Sequence, residues 1–517
     1  MEHALAYPEP PDFAADTTGP GVPSAFSTPR RRLTPALRRT LAVCVTGCLF
    51  LGGALLRPDG DVRAPSALPG PAGRAVIAAS AGAPAALPDL TALIAEREAA
   101  LRAHPRADRT WAALGAAYVE RGTRTADPAS YTAAERALRR ALALRPRRNV
   151  AVLDGLAELA AARGDWRSAR GWGEAAVRLA PDHWPAYAAL VDACQGLGDD
   201  KAAGRNLEKL SGLTAGTAVS LRTAAVYRGR GWREDAAAVL ADAAARAGTP
   251  TERAALLHRG GELAWERGES ADALRHFDAA LAADPRYPAA LAGRARALAS
   301  LGRASQAAQA YRRAFAQRPA PEYALELGEL YESLHLTGAA RAQYGAVRAR
   351  AAARRAHGVD DALVLGRFEA DHGDPAAAVR GLRARWRRAP GVEAADALGW
   401  ALHRAGRDTE AVEWLRRAAD RRKAGGPRSG LMMYHLGVVE RRLGRYGAAR
   451  RHLGEALRIN PAFSPLFAPR ARQALAALGE PPGGGPAQMW PPRPRTAAPA
   501  RPKPGRAVPH RQAAERR

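Results

Sequence analysis

The stretch MMYHLGVVERRLGRYGAARRHLGEALRINP (432–461) decides the fold. It holds two apolar-periodic runs, each long enough for a helix, joined at Leu443-Gly444-Arg445 and stopped at Pro461. Small residues mark the inner faces: Gly437 in the first run, Ala449 and Ala456 in the second, with Leu453 between the last two. Their three- and four-residue spacing puts them on one side of a helix. Gly444 supplies the left-handed residue that ends a helix, and Pro461 cannot continue one. The stretch predicts a helix–turn–helix hairpin with an apolar face that it cannot bury alone.

The same spacing recurs in LHRGGELAWERGESADALRHFDAALAADP (257–285), and Pro285 and Pro319 stand one 34-residue period apart. Thr110-Trp111-Ala112-Ala113-Leu114-Gly115-Ala116-Ala117-Tyr118 opens another unit. Ten units are read, ending near residues 146, 181, 215, 248, 285, 319, 350, 390, 422 and 461. The pattern resembles the tetratricopeptide repeat (TPR) family, with its W-x₂-L-G-x₂-Y…A-x₃-F…A…P signature. The resemblance implies an all-α chain: a right-handed α-solenoid of about ten TPR units over 108–461. Neighbouring units then stack to bury what each leaves exposed. The small positions (Gly115, Gly261, Gly328, Gly366, Gly399, Gly437) would let helices approach closely, and larger ones (Leu138, Phe277, Tyr344, Leu382, Leu415, Leu453) would fill the gaps. Gly164, Gly198, Gly302, Gly373 and Gly406 are expected to close the turns in the left-handed conformation. Residues 89–107 read as a lone helix before the array and 462–479 as a helix capping its last apolar face.

Outside the array the composition changes. Residues 1–40 are rich in Pro, Ala and Gly and read as disordered, ending in RRRLTPALRRT with Arg30, Arg31, Arg32, Arg38 and Arg39. The uncharged run LAVCVTGCLFLGGALL from Leu41 to Leu56 comes next. A basic flank before an apolar run is the pattern of a signal or membrane anchor that exports the rest of the chain. Cleavage, lipidation at Cys48 within VTGC and retention as an uncleaved anchor all remain open. Retention fits best, because no clean cleavage site lies downstream and the apolar run continues past Cys48. Residues 57–88 hold six prolines and read as a linker, and 480–517 as a disordered Pro/Arg-rich tail. The expected placement is a bacterial membrane with the repeats on its extracytoplasmic side, with secreted or cytoplasmic placement as alternatives.

Charge is the least specific signal. The 517 residues carry 78 Lys+Arg against 51 Asp+Glu, a net +27. Only Lys201, Lys209, Lys423 and Lys503 are lysines, an arginine bias of the kind a GC-rich bacterial genome produces. The excess is +6 in the tail and otherwise spread along the array, so no basic stripe argues for nucleic acid.

No metal-ligand spacing, Walker loop or nucleophile elbow occurs, and Cys194 falls at an inward repeat position. No cofactor and no enzymatic activity are expected. In the family resembled, partners lie in the concave groove lined by the first helix of each unit. Carrying the groove positions onto this chain selects Asp154, Glu158, Asp192, His258, Glu262, Trp265, Arg296, Glu322, Glu329, Glu332, Asp360, Arg367, Glu393, Asp396, Trp400, His403, Tyr434 and Arg441. Counted over all the groove positions, Arg109 and Arg228 included, ten acids stand against five arginines, in a chain where bases dominate. Asn and Lys, which the family's carboxylate clamp uses, are absent. The expected function is a protein-interaction scaffold whose groove takes a basic or Pro/Arg-rich peptide or protein. The chain's own tail (490–517) is one such segment. The alternatives are that the acids only pair with neighbouring arginines, or that Arg-rich faces bind anionic polymer, lipid or nucleic acid.

Overall fold

The computed structural model describes residues 69–420 and 428–479. The readings on 1–68, the run Leu41 to Leu56 among them, and on the tail 480–517 lie outside these residues. Among the described residues there are twenty-three α-helices and no strand. Helices α1 (Pro71–Ser80) and α2 (Leu87–Ala103) come first. Ten hairpins follow. Five are α3–α4 (Asp108–Thr125, Pro128–Leu144), α5–α6 (Val150–Ala162, Trp166–Leu179), α7–α8 (Trp184–Gly196, Asp200–Leu213), α9–α10 (Thr217–Arg230, Arg233–Arg246) and α11–α12 (Pro250–Glu266, Ser270–Ala283). The rest are α13–α14 (Pro288–Ser300, Ala304–Gln317), α15–α16 (Pro321–Ser333, Thr337–Arg355), α17–α18 (Ala362–His372, Pro375–Arg388), α19–α20 (Val392–Arg404, Asp408–Ala419) and α21–α22 (Gly430–Arg442, Tyr446–Ile459). Helix α23 (Phe467–Ala476) closes the stack. The described chain is an all-α solenoid.

A single contact type builds it. Leu138 of α4 is wedged against Gly115 of its own first helix and Gly155 of the next. A Cβ on those glycines would stand 2.6 and 2.5 Å from the leucine, closer than real Cβ atoms come. Phe277 of α12 sits between Gly261 and Gly293 in the same way, at 2.7 and 2.2 Å. Tyr344 meets Gly328, Leu382 meets Gly366, Leu415 meets Gly399 and Leu453 meets Gly437. Leu138, Phe277, Leu382 and Leu453 are fully buried, each contributing about 1.5–3 kcal/mol by burial.

The intra-hairpin turns are closed by backbone. Gly164 (φ 78°) donates to Ala161 and Asp165 to Ala160, while the Asp165 carboxylate accepts the N–H of Ser168 and caps α6. Gly373 departs from the expected left-handed closure, with φ −144°. There the Glu369 carboxylate accepts the N–H of Asp374 at 2.8 Å, so a side chain satisfies the turn instead.

The stretch 57–88, read as a linker, holds α1 from Pro71. Proline is tolerated in a helix's first turn, where no backbone donor is lost, so Pro71 starts a helix rather than preventing one. Ala75 and Ala78 give α1 a buried face against Leu90, Leu93 and Ile94 of α2 and Leu114 and Ala117 of α3.

The solenoid also winds tightly enough to touch itself. The turn of the second hairpin meets the loop after the seventh, where Asp360 donates its N–H to the carbonyl of Arg163 at 2.8 Å. The same seam continues along the chain. Arg167 donates to the carbonyl of Arg387, Arg233 to that of Arg428, and Asn460 to that of Trp265. At the other end Arg124 of α3 pairs with Asp284 and Thr132 meets His357. These partners lie 160 to 225 residues apart, so the ribbon returns to itself after about five hairpins. One seam leaves a cavity of about 550 Å³ lined by Arg163, Trp166, Arg355 and Arg388.

Asn460 is buried, with its Nδ2 2.7 Å from the Trp265 carbonyl and its Oδ1 accepting the N–H of Ala462. Asn460→Ala should cost about 1–3 kcal/mol, because it removes two hydrogen bonds at a buried position. Urea unfolding checks the cost, and small-angle scattering should show a larger radius as the last turn loosens.

Candidate functional site

First helices of neighbouring hairpins pack on one another (α3 on α5, α5 on α7, α11 on α13), whereas second helices are held apart. The ribbon therefore curves with its first helices inside, and their free faces form an inner wall.

Most charge on this wall is paired between adjacent hairpins. Arg222 of α9 is 2.6 Å from Asp192 of α7, and Arg228 of α9 is 2.5 Å from Glu266 of α11. Arg296 of α13 bridges Glu262 (2.8 Å) and Glu326 (3.1 Å) on either side of it. Arg367 reaches Glu393, and His183 lies 2.6 Å from Asp154. Glu329 and Glu332 flank His372, and Glu332 also accepts from Tyr344. Trp400 donates to Asp371, which pairs with Arg404, and Trp265 donates to Ser300 beneath the guanidinium of Arg296. Pairing of the acids with arginines is thus the dominant arrangement.

Several residues selected from the sequence do not face an open groove. Asp360 precedes α17 and serves the seam, its carboxylate 2.8 Å from Arg388. Glu322 pairs with Arg318 one turn behind it. His258 is buried against Phe277 and Tyr287, and burial pushes its imidazole down to about 4, so it is neutral. Asp396 is buried with His435 at 3.1 Å, and His435 stacks on Trp400. Trp400 and Tyr434 lie under Phe463 and Phe467 of the C-terminal segment and are 4% and 5% exposed. A repeat template selects them as groove aromatics because it carries no information on what the capping segment covers. His403 turns to Asp408 at the hairpin's own turn, and Arg441 stands exposed at the end of α21.

The positions the template missed are neighbours of those it chose. Carried at four positions per first helix, the template also falls on 119, 221, 265, 325, 370, 403 and 434, and Glu120, Arg222, Glu266, Glu326, Asp371, Arg404 and His435 each follow one of these by one residue. Adjacent residues near the centre of a helix face both reach a strongly curved wall, which a four-position template leaves out.

Two places on the wall stand apart. The first is Glu158 of α5. Its side chain is open to water yet enclosed by the wall around it. This enclosure, with Asp154, Glu120 and Asp192 nearby, pushes its carboxyl up to about 7, against the pull of Arg222. The second is a main-chain grip. The Glu120 carboxylate accepts the N–H of Ala85 at 2.7 Å, and Arg124, one turn on, donates to the carbonyl of the same residue. The segment 81–86 that carries Ala85 joins α1 to α2 and lies on the inner side, where Gly82 presses on Trp184 of α7 and Ala218 of α9. At the opposite end Arg470 of α23 leans back toward Glu332 of α15 at 3.6 Å.

Among the described residues no cluster of His, Cys, Asp or Glu has metal-binding form, and no helix is long and apolar enough to cross a membrane. Cys194 is buried, and that burial raises its thiol.

Because the Glu158 carboxyl titrates near 7 in the fold and near 4.5 in an unfolded chain, the fold favours its protonated form. That contribution is complete below 4.5 and is lost as pH rises through 7. Glu158→Gln should therefore match the natural chain's thermal midpoint near pH 4.5 and exceed it near pH 8. A midpoint series across that window reads the crossover.

No curated protein matches the sequence significantly. Solved structures similar to the chain include the human IFIT1 dimer with PPP-AAAA, at 19% identity over 60% of this chain and 72% of that one, with a TM-score of 0.41. A tetratricopeptide repeat protein from Parabacteroides merdae is similar at 14% identity over 51% and 99%, with a TM-score of 0.31. Yeast Tom70 is similar at 13% identity over 70% and 95%, with a TM-score of 0.30. The tetratricopeptide repeat models of sequence families match residues 258–321, 363–427 and 432–463. These stretches are thus similar in sequence to the tetratricopeptide repeat, and the structure forms glycine-wedged helical hairpins in them.

Proposed function

We propose that the chain is a protein-interaction scaffold whose inner wall holds an extended segment of a partner protein. The observation that carries this reading is the grip of Glu120 and Arg124 on both backbone groups of Ala85. A donor and an acceptor one helical turn apart suit any main chain that lies across them, whatever its side chains. The acid cluster around Glu158 adds a preference for a basic or Pro/Arg-rich segment, through charge complementarity. The reading also places the solenoid outside a bacterial membrane, tethered by residues 41–56. The support for that part is the arginine cluster followed by an uncharged run.

The test is site-specific photo-crosslinking of the full chain in its native membrane fraction. Probes at Glu158 and Glu329 on the inner wall should capture one partner, and a probe at the exposed Arg139 on α4 should not. Equal capture from both faces would overturn the proposal. So would an association that survives replacement of Glu158 and Glu329 but is lost when exposed arginines of the second helices are replaced, the behaviour of an Arg-rich surface on a polyanion. Protease added to intact cells should cleave within 89–479. Protection until lysis would refute the export reading.

A further inference from the structure

Two distant parts of the chain face each other across the seam at Arg163. One bank is the turn of the second hairpin, from Arg163 to Arg167. The other runs from Arg355, at the end of α16, to Asp361 before α17, and includes the end of α18. The banks fit closely at backbone level. A Cβ on Gly164 would stand 3.4 Å from Asp360, and one on Gly358 would stand 3.2 Å from Arg163 Nε. Between them the seam leaves the cavity of about 550 Å³, a volume within the range of small-molecule sites.

Both banks bring arginines to this cavity: Arg163 and Arg167 from the first, Arg355 and Arg388 from the second. Three acids also line it, and each is already engaged. The Asp165 carboxylate accepts the N–H of Ser168, and Asp361 accepts Nε and Nη2 of Arg354 at 2.7 and 3.1 Å. Asp360 pairs with Arg388 at 2.8 Å, with Arg385 at 4.0 Å. Glu135 takes Arg163 at 2.8 Å. Arg167 spends a nitrogen on the carbonyl of Arg387, and Arg355 has no partner among the described residues.

Arginines therefore exceed carboxylates around the cavity, with Arg163, Arg167, Arg354, Arg355, Arg385 and Arg388 against Glu135, Asp165, Asp360 and Asp361. Burial pulls the Arg385 guanidinium below its ordinary value and Arg388 adds to the effect, against the pull of Asp360. Arg163 Nε and Arg354 Nη1 are buried without a hydrogen-bond partner. Like charges on opposite banks push apart two turns that the Asp360–Arg163 and Arg167–Arg387 backbone bonds hold together. An anion between the banks reverses that push.

We propose that the seam cavity binds a diphosphate group, which fastens one superhelical turn of the solenoid to the next. Guanidinium groups meet phosphate oxygens in paired, charge-assisted hydrogen bonds. Cations on both banks suit two linked phosphates better than one, because a single phosphate held at Arg163 and Arg167 leaves Arg355 and Arg388 unanswered. The site is separate from the inner wall and does not depend on the scaffold reading.

The test titrates the full chain with inorganic pyrophosphate and with orthophosphate by calorimetry. Hydrogen exchange of the Asp360 amide, which bonds across the seam, is measured alongside. Pyrophosphate should bind at one site, at least about tenfold more tightly than orthophosphate, and should slow exchange at Asp360. Arg167→Gln and Arg355→Gln should each weaken binding at least about tenfold. Arg312→Gln, which neutralises an exposed arginine of α14 away from the cavity, should leave it unchanged. Circular dichroism confirms that each variant is folded. ADP separates two sources of the group: tighter binding than pyrophosphate assigns a nucleotide, weaker binding a free diphosphate. No pyrophosphate binding, or equal binding by natural chain and both cavity variants, overturns the proposal. So does sodium chloride that slows Asp360 exchange as well as pyrophosphate at the same ionic strength, because the effect is then general screening. Binding with no change at Asp360 overturns the fastening role.

Discussion

The solenoid depends on one recurring steric fact: on six of its ten second helices (α4, α12, α16, α18, α20 and α22) a large side chain rests on helix backbone where a glycine has no Cβ. Phe277 shows it most fully. It lies between Gly261 of its own hairpin and Gly293 of the next, so a single ring sets both the closeness of the hairpin and the stacking of its neighbour. Leu138 does the same between Gly115 and Gly155. Since the contact repeats, stability is distributed along the chain rather than gathered in one core. Close approach at the first helices, with second helices held apart, also sets the direction of curvature.

Curvature then decides what the inner wall can do. A gently curved array would present its first helices as a broad open trough. Here the ribbon tightens until the loop at Asp360 bonds to the turn at Arg163 and Asn460 bonds to Trp265. Tight winding brings acids and bases of neighbouring hairpins within pairing distance. Arg296 bridges Glu262 and Glu326, and it brings Glu262 down to about 2 against the opposing effect of its burial. What stays available is where pairing is incomplete, at Glu158, and where the wall holds main chain, at Glu120 and Arg124. Both lie in the first hairpins, while Trp400 and Tyr434 in the last ones are spent on seating the C-terminal segment.

Much of the site was half legible. Glu158, Asp192, Glu262, Arg296, Glu329 and Glu332 do stand on the inner wall, because one residue per helical turn faces inward whatever the curvature. The arginine pairing was visible as a possibility in the count of acids and bases, but not which acid would be left over. That depended on Arg222 and Glu326, each a residue away from the template positions. Residues 81–86 were illegible as a contact of the inner wall. Proline, alanine and glycine in a row carry no apolar period, and the same composition serves a linker and a backbone-recognised segment equally well.

By itself the sequence determined the hairpins, their number and their order, because a 34-residue recurrence of small, large and turn residues leaves a helical chain few other ways to bury its faces. It also determined that the chain's charge would be unevenly distributed between wall and tail. Only the tertiary structure decided how far the ribbon winds, which charges cancel across hairpins, and that the chain's own N-terminal loop lies against the wall. The winding rests on contacts between residues 160 to 225 positions apart, the charge pairing on which side chains of adjacent hairpins meet, and the loop on a segment with no repeat of its own. A periodic pattern records the neighbours of each unit. It holds no information about a unit met one superhelical turn later.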